Sequence, residues 1–150
     1  QIDGIRYTLV GLKAKDLKMP SVTGEWFQLS EVTAPYTILV FWEPSCGHCK
    51  KEIPLLKENV WDKYKQYGIK IFAVYCQVEK PEWEEFISEH QLEEWINVYD
   101  PYGRSGFRKY YNIKSTPQIF VLDKDKTIIA KRIGVDQLPD FFDHYLGVKK

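Results

Sequence analysis

The sequence predicts an α/β fold: a central mixed β-sheet flanked by helices and preceded by an N-terminal β-hairpin. Two apolar, β-rich runs, Tyr36 to Trp42 and Ile69 to Cys76, are separated by a stretch with helical spacing. Strand, helix and strand in that order make a right-handed parallel crossover. Two further apolar runs, Gln118 to Leu122 and Thr127 to Ile133, flank Asp123-Lys124-Asp125-Lys126 and read as an antiparallel hairpin. A parallel crossover and an antiparallel hairpin in one sheet make it mixed.

Each element follows from local chemistry. Gln1 to Val32 holds short alternating stretches, Arg6 to Val10, Leu17 to Met19 and Trp26 to Leu29, with a Thr23-Gly24 turn signal, and forms the hairpin region. Residues 33–150 form the core of what reads as one domain over 1–150, because no repeat, low-complexity tract or linker divides the chain. The run from Tyr36 to Trp42 is unbroken by polar alternation, as expected of a central strand covered on both faces. After Cys46, the residues Ile53, Leu56, Val60, Tyr64 and Tyr67 recur at helical spacing, and Gly68 ends the pattern. Pro54 is expected to kink that helix. Pro81 opens a second helical pattern with Trp83, Phe86, Ile87 and His90. Ile96 to Tyr99 is a short strand, Gly106 to Tyr111 one or two helical turns, and Leu138 to Leu146 a closing helix.

Composition narrows the function. Hydrophobic residues make up 44% and aromatic residues 15%, enough for a substantial core. The 21 basic residues balance the 21 acidic ones, so no long-range field favours nucleic acid or an anionic membrane surface. A protein partner or a neutral small molecule is expected, and a monomer. No run approaches the ~18 apolar residues of a membrane-spanning helix, and Gln1 to Arg6 lacks the regions of a secretory signal. A start at Gln1 rather than Met favours a mature or trimmed form. The 3 cysteines are too few for a disulfide-stapled scaffold, and the three-residue step between Cys46 and Cys49 points to redox chemistry or to metal.

Cys46-Gly47-His48-Cys49 follows the central strand and opens a helix. Unpaired amides and the positive end of the helix dipole favour a thiolate there, which makes Cys46 the nucleophile. Cys49, one turn inward, is the resolving thiol that releases a mixed disulfide. His48 adds a donor or positive charge beside the pair. The competing reading is a zinc or copper site, but zinc usually needs four ligands and neither a second such pair nor a local histidine pair exists. Cys76, at the end of a buried strand, reads as a small core residue.

Phe41-Trp42-Glu43-Pro44-Ser45-Cys46-Gly47-His48-Cys49-Lys50-Lys51-Glu52-Ile53-Pro54 resembles the active-site segment of the TlpA/ResA-like thiol-disulfide oxidoreductases, extracytoplasmic members of the thioredoxin superfamily. Ser115-Thr116-Pro117-Gln118-Ile119-Phe120-Val121-Leu122-Asp123 resembles their second signature, whose proline is cis. The resemblance runs from about Leu17 to Leu146. It implies a thioredoxin-like fold, with the strand after Pro117 antiparallel to the strand before Cys46. It also implies an enzyme that reduces or isomerises disulfides in extracytoplasmic, periplasmic proteins, without a cofactor or metal beyond its own Cys46–Cys49 disulfide. Its partners would be disulfide or dithiol proteins and an upstream membrane electron donor, with an N-terminal membrane anchor outside this chain.

The chain departs from the wider superfamily in places. Thioredoxin's buried aspartate falls at Val40. Glu52, three residues beyond Cys49, matches a glutamate that the TlpA/ResA-like proteins hold near the thiols; it either raises a thiol pKa or shuttles a proton, or is a solvated helix residue. Gly47-His48 between the cysteines resembles protein disulfide isomerase rather than thioredoxin's Gly-Pro. Trp42 either shields the disulfide or belongs to the core. Lys50 and Lys51 read as solvated. Two alternatives on a related fold are a peroxiredoxin, which would want Thr or Ser where Glu43 stands, and a copper carrier, which spaces its cysteines one residue further apart.

Overall fold

The computed structural model describes residues 7–148. It begins with a small hairpin, β1 (Lys18–Pro20) against β2 (Trp26–Gln28), paired antiparallel with Met19 opposite Phe27. The stretch expected as a strand from Arg6 to Val10 forms none among residues 7–10; Arg6 lies outside the described residues. Instead Leu12 N–H closes a turn onto the Leu9 carbonyl, and Gly11, with φ +97°, turns the chain alongside the far hairpin. There Gly11 N–H bonds Ile128 O, Ile128 N–H bonds Leu12 O and Ala14 N–H bonds Lys126 O, all at 2.8–2.9 Å.

The main sheet has five strands in the order β5-β4-β3-β6-β7. Strand β3 (Tyr36–Trp42) is central: β4 (Lys70–Tyr75) lies parallel on one side, then β5 (Ile96–Tyr99), also parallel. On its other side β6 (Gln118–Asp123) runs antiparallel, followed by β7 (Ile128–Lys131). Strands β3 and β4 enclose α1 (Gly47–Leu56), a π-helical stretch at Lys57–Trp61, the short α2 (Asp62–Tyr64) and a 3-10 turn ending at Gly68, φ +89°. The expected single helix is therefore wound three ways. Pro54, with no N–H, leaves the Lys50 carbonyl without its usual i+4 donor, and the wider winding starts three residues later. The remaining helices are α3 (Lys80–His90), α4 (Phe107–Tyr110) and α5 (Leu138–Tyr145).

Alternation along β3 builds the two core layers. Ile38, Val40 and Trp42 face α1, α3 and α5, packing with Cys49, Ile53, Leu56, Phe86 and Phe142. Leu39 and Phe41 face the N-terminal hairpin and α4, packing with Met19, Leu29, Phe107 and Tyr111. Both sets are fully buried, which is why this strand carries no polar side chain after Thr37. The architecture is the thioredoxin-like fold that the resemblance implied.

Helix α5 closes the first layer through Phe142, whose ring stands 6.0 Å from Tyr36 and 5.6 Å from Tyr64. Tyr64 completes the join: its hydroxyl bonds the Pro139 carbonyl at 3.0 Å and Asp143 Oδ1 at 2.6 Å. Phe142→Ala should cost about 3–5 kcal/mol, the range for truncating a buried aromatic ring. Urea unfolding followed by tryptophan fluorescence would measure it, and a cost below about 1 kcal/mol would mean that α5 is not a core element.

Candidate active site

Strand β3 ends at Trp42 in the middle of the sheet, and the chain leaves it through a turn closed by Cys46 N–H on the Glu43 carbonyl at 3.2 Å. Cys46 then caps α1. Its backbone is extended, φ −77° and ψ 127°, and its Sγ accepts the Cys49 N–H at 3.3 Å. The antiparallel register, with Phe41 opposite Gln118, delivers Thr116 and Pro117 to the same place from 70 residues away in sequence. The Thr116–Pro117 peptide is cis, and the Cys46 thiol donates to the Thr116 carbonyl at 3.2 Å.

The two thiols differ sharply. Burial pushes the Cys46 pKa up, but hydrogen bonds from the Thr116 side chain and from the Cys49 and His48 backbone outweigh it and hold the thiol below its ordinary range. The α1 N-terminus adds a favourable field at the same sulfur. Cys49 is fully buried, and desolvation pushes its pKa up to about 12. Cys46 is therefore the thiol that ionises first, while Cys49 holds its proton at neutral pH. Cys76 also rises to about 12, through burial, and donates only a long contact to the Val74 carbonyl at 3.7 Å. It belongs to the core layer beneath the N-terminal hairpin.

The other residues singled out in the sequence fall into two groups. His48 and Glu52 project from α1 into a cleft of about 360 Å³ that Thr116, Pro117 and Gln118 also line. His48 is exposed and Glu52 half-buried; Glu52 makes no hydrogen bond or ion pair among the described residues. Trp42, by contrast, is fully buried, with its ring 5.0 Å from Phe86 and 6.4 Å from Tyr75, so it packs as core in the layer that holds Cys49. Lys50 and Lys51 are exposed.

Glu43 and Gln77 escaped sequence reasoning. The Glu43 carboxylate accepts Gln77 Nε2 at 2.8 Å and Ser45 Oγ at 3.3 Å, tying the turn before Cys46 to the loop after β4. The parallel pairing of Trp42 with Tyr75 is the signal that would have found them, since it continues as Cys76 N–H on the Trp42 carbonyl at 2.8 Å. Arg132, whose backbone is left-handed at φ +53°, also lines the cleft and was not anticipated.

A profile of the AhpC/TSA family matches residues 10–131. The chain belongs to that family. Within it, the chain is 25% identical over 137 residues to the thiol-disulfide oxidoreductase ResA of Bacillus cereus, covering 91% of this chain and 76% of that protein. A solved domain of a possible thiol-disulfide isomerase from Cytophaga hutchinsonii is 42% identical, with a TM-score of 0.85 over 93% of this chain and 94% of that one. A thiol:disulfide interchange protein from Bacteroides sp. shares the fold, with a TM-score of 0.81 at 22% identity over 94% of this chain and 92% of that one. This AhpC/TSA member is a thioredoxin-like thiol-disulfide oxidoreductase, a redox enzyme. Three residues before Cys46, where a peroxiredoxin would want Thr or Ser, stands Glu43, whose carboxylate accepts from Gln77 and Ser45.

The pKa order has two measurable consequences. Brief iodoacetamide treatment of the reduced protein near neutral pH should label Cys46 alone, and Thr116→Val should move the labelling profile to higher pH. Dominant labelling of Cys49 or Cys76 would contradict the order. For stability, a cysteine whose pKa is raised in the fold keeps a proton that the unfolded chain loses, so stability falls as pH rises above about 8.5. Cys46 works oppositely: its contribution is complete above the unfolded pKa and fades as pH falls through the folded one. The reduced protein should therefore lose up to about 1.4 kcal/mol per pH unit for each of Cys49 and Cys76 between roughly pH 9 and 11. Urea midpoints of the wild type and Cys49→Ala over that range would show the shallower slope expected of the variant.

Proposed function

We propose that the chain reduces or isomerises disulfides in proteins outside the cytoplasm, by dithiol exchange through Cys46 and Cys49. The observation that carries this reading is the pairing of a low-pKa, half-buried Cys46 with a buried, protonated Cys49 one helical turn away. The Cys46 thiolate attacks one sulfur of a substrate disulfide, forming a mixed disulfide while the other substrate sulfur leaves as a thiolate and takes up a proton. Cys49 then attacks Cys46 Sγ. A new Cys46–Cys49 bond forms, the substrate leaves as a thiolate, and the proton shed by Cys49 balances it. Two electrons pass to the substrate, with one proton from Cys49 and one from solvent. In isomerisation the substrate's own freed thiol closes the intermediate instead, and the pair ends reduced.

The raised Cys49 pKa suits this order of events. Cys49 stays inert until the mixed disulfide places a leaving sulfur beside it. Thr116, Pro117, His48 and Glu52 would line the substrate's path, with Glu52 positioned to take or return a proton. The resemblance to the TlpA/ResA-like proteins supports an extracytoplasmic, periplasmic setting, a membrane-borne electron donor and a monomer that needs no cofactor or metal.

Cys49→Ser should accumulate mixed disulfides with protein substrates, because attack proceeds and release does not; Cys46→Ser should accumulate none. Absence of trapped species while Cys46 remains alkylatable would reject the resolving role. The direction of electron flow follows from how strongly the thiolate form is stabilised. The Thr116 hydroxyl, the amides of α1 and His48 favour the dithiol, while buried Cys49 and the lack of further basic neighbours favour the disulfide. The expected potential lies between the ~-270 mV of thioredoxin and the ~-180 mV of disulfide isomerase. Equilibration with glutathione, read by fluorescence, would measure it, and a value near ~-120 mV would make the protein an oxidant.

A further inference from the structure

The cleft beside Cys46 holds a cation that has no anionic partner among the described residues. Arg132 is exposed, just beyond β7, and among the described residues its guanidinium bonds only neutral acceptors: Gln118 Oε1 at 2.6 Å, the Asn112 carbonyl at 3.3 Å and the Tyr111 carbonyl at 3.4 Å. No carboxylate of the described residues lies within ion-pair distance of it. These three bonds hold the group at the wall of the cleft, with the guanidinium reaching Gln118 at the start of β6. Glu52, on the α1 side of the same cleft, likewise has no partner among the described residues, and no ion pair joins the two charges. The fold therefore keeps an acid and a base apart in one groove that leads away from the nucleophile.

The spacing sets where a substrate would meet that cation. Thr116, whose carbonyl touches Cys46 Sγ, lies just before β6, and Gln118, whose side chain carries Arg132, opens it, so the nucleophile and the cation stand at the same end of the sheet. An extended substrate segment whose cysteine sulfur reaches Cys46 and that runs along this cleft therefore carries its neighbouring side chains past Arg132. We propose that Arg132 is a specificity-determining residue that selects substrates with an acidic side chain close to the reactive cysteine. The proposal rests on the dithiol-exchange reading above. Gln118 serves by orienting the guanidinium, and Glu52 disfavours an acid on the helix side, which gives the substrate one preferred direction.

The test uses the Cys49→Ser protein and short peptides whose single cysteine is a mixed disulfide with thionitrobenzoate. Cys46 attacks the peptide sulfur, the Cys46–peptide bond forms and thionitrobenzoate leaves, so mass analysis and absorbance both report the step. Peptides carry Glu, Ala or Lys two residues before or after the cysteine, and each rate is divided by that of the Ala peptide with the same variant. The Glu peptide in one of the two directions should react about threefold faster than Ala, the scale of a partly exposed ion pair, with the advantage shrinking at high salt. Arg132→Gln should abolish the ratio, Arg132→Lys retain part of it, and Arg132→Glu turn the preference toward Lys. Ratios that are the same in Arg132→Glu and in the parent overturn the proposal while leaving dithiol exchange intact. Failure of every peptide, Ala included, to form the adduct overturns both.

Discussion

The structure depends on the antiparallel pairing of β3 with β6. Both strands are buried on both faces, and their register, Val40 opposite Ile119 and Phe41 opposite Gln118, is held by side chains packed into two separate core layers. A slip of one residue would turn Ile119 and Val121 from the α1 layer to the hairpin layer, so the register is strongly specified. Because Cys46 is placed from the end of β3 and Thr116 from the start of β6, the same register fixes the 3.2 Å contact between them. The Thr116 side of the nucleophile's surroundings is thus set by the hydrophobic pattern of two strands, and the opposite side by the first turn of α1.

With that contact fixed, one helical turn separates two thiols with opposite properties. Cys46 lies where α1 starts, with unpaired amides pointing at its sulfur and Thr116 beside it; Cys49 points from the first turn into the layer shared by Trp42 and Ile53. Hydrogen bonds outweigh desolvation at the first position, and desolvation wins at the second, where the sulfur is fully enclosed. The reactive difference within Cys46-Gly47-His48-Cys49 is therefore a difference of depth across about 4.5 Å of helix rise.

Much of this was legible in the sequence because it rests on periodicity and on short signatures. The unbroken run Tyr36 to Trp42 identifies a strand covered on both faces, the helical spacing from Ile53 to Tyr67 identifies the crossover, and Gly68 marks its end. The resemblance located Thr116 and Pro117, which composition would not have done. What stayed hidden depends on three-dimensional juxtaposition. Trp42 suited shield or core equally until the ring of Phe86 was found 5.0 Å away. The winding change at Lys57–Trp61 leaves no pattern in side-chain polarity, and Tyr7 to Val10 alternates like a strand although a turn at Gly11 intervenes. Glu43 and Gln77 are one bond apart and 34 residues apart, so only the β3–β4 register connects them.

The balanced charge of the chain has a further consequence for how partners would be chosen. With 21 basic and 21 acidic residues there is no net field to steer a partner from beyond a Debye length, about 8–10 Å at ordinary salt. Selection must then act after encounter, through groups near the reacting sulfur. The separated charges of Arg132 and Glu52 meet that requirement: each is too weak and too screened to act at a distance, yet both line the groove that an extended chain bonded to Cys46 would enter. A neutral protein can in this way exchange disulfides broadly while ranking its substrates by one side chain near the cysteine.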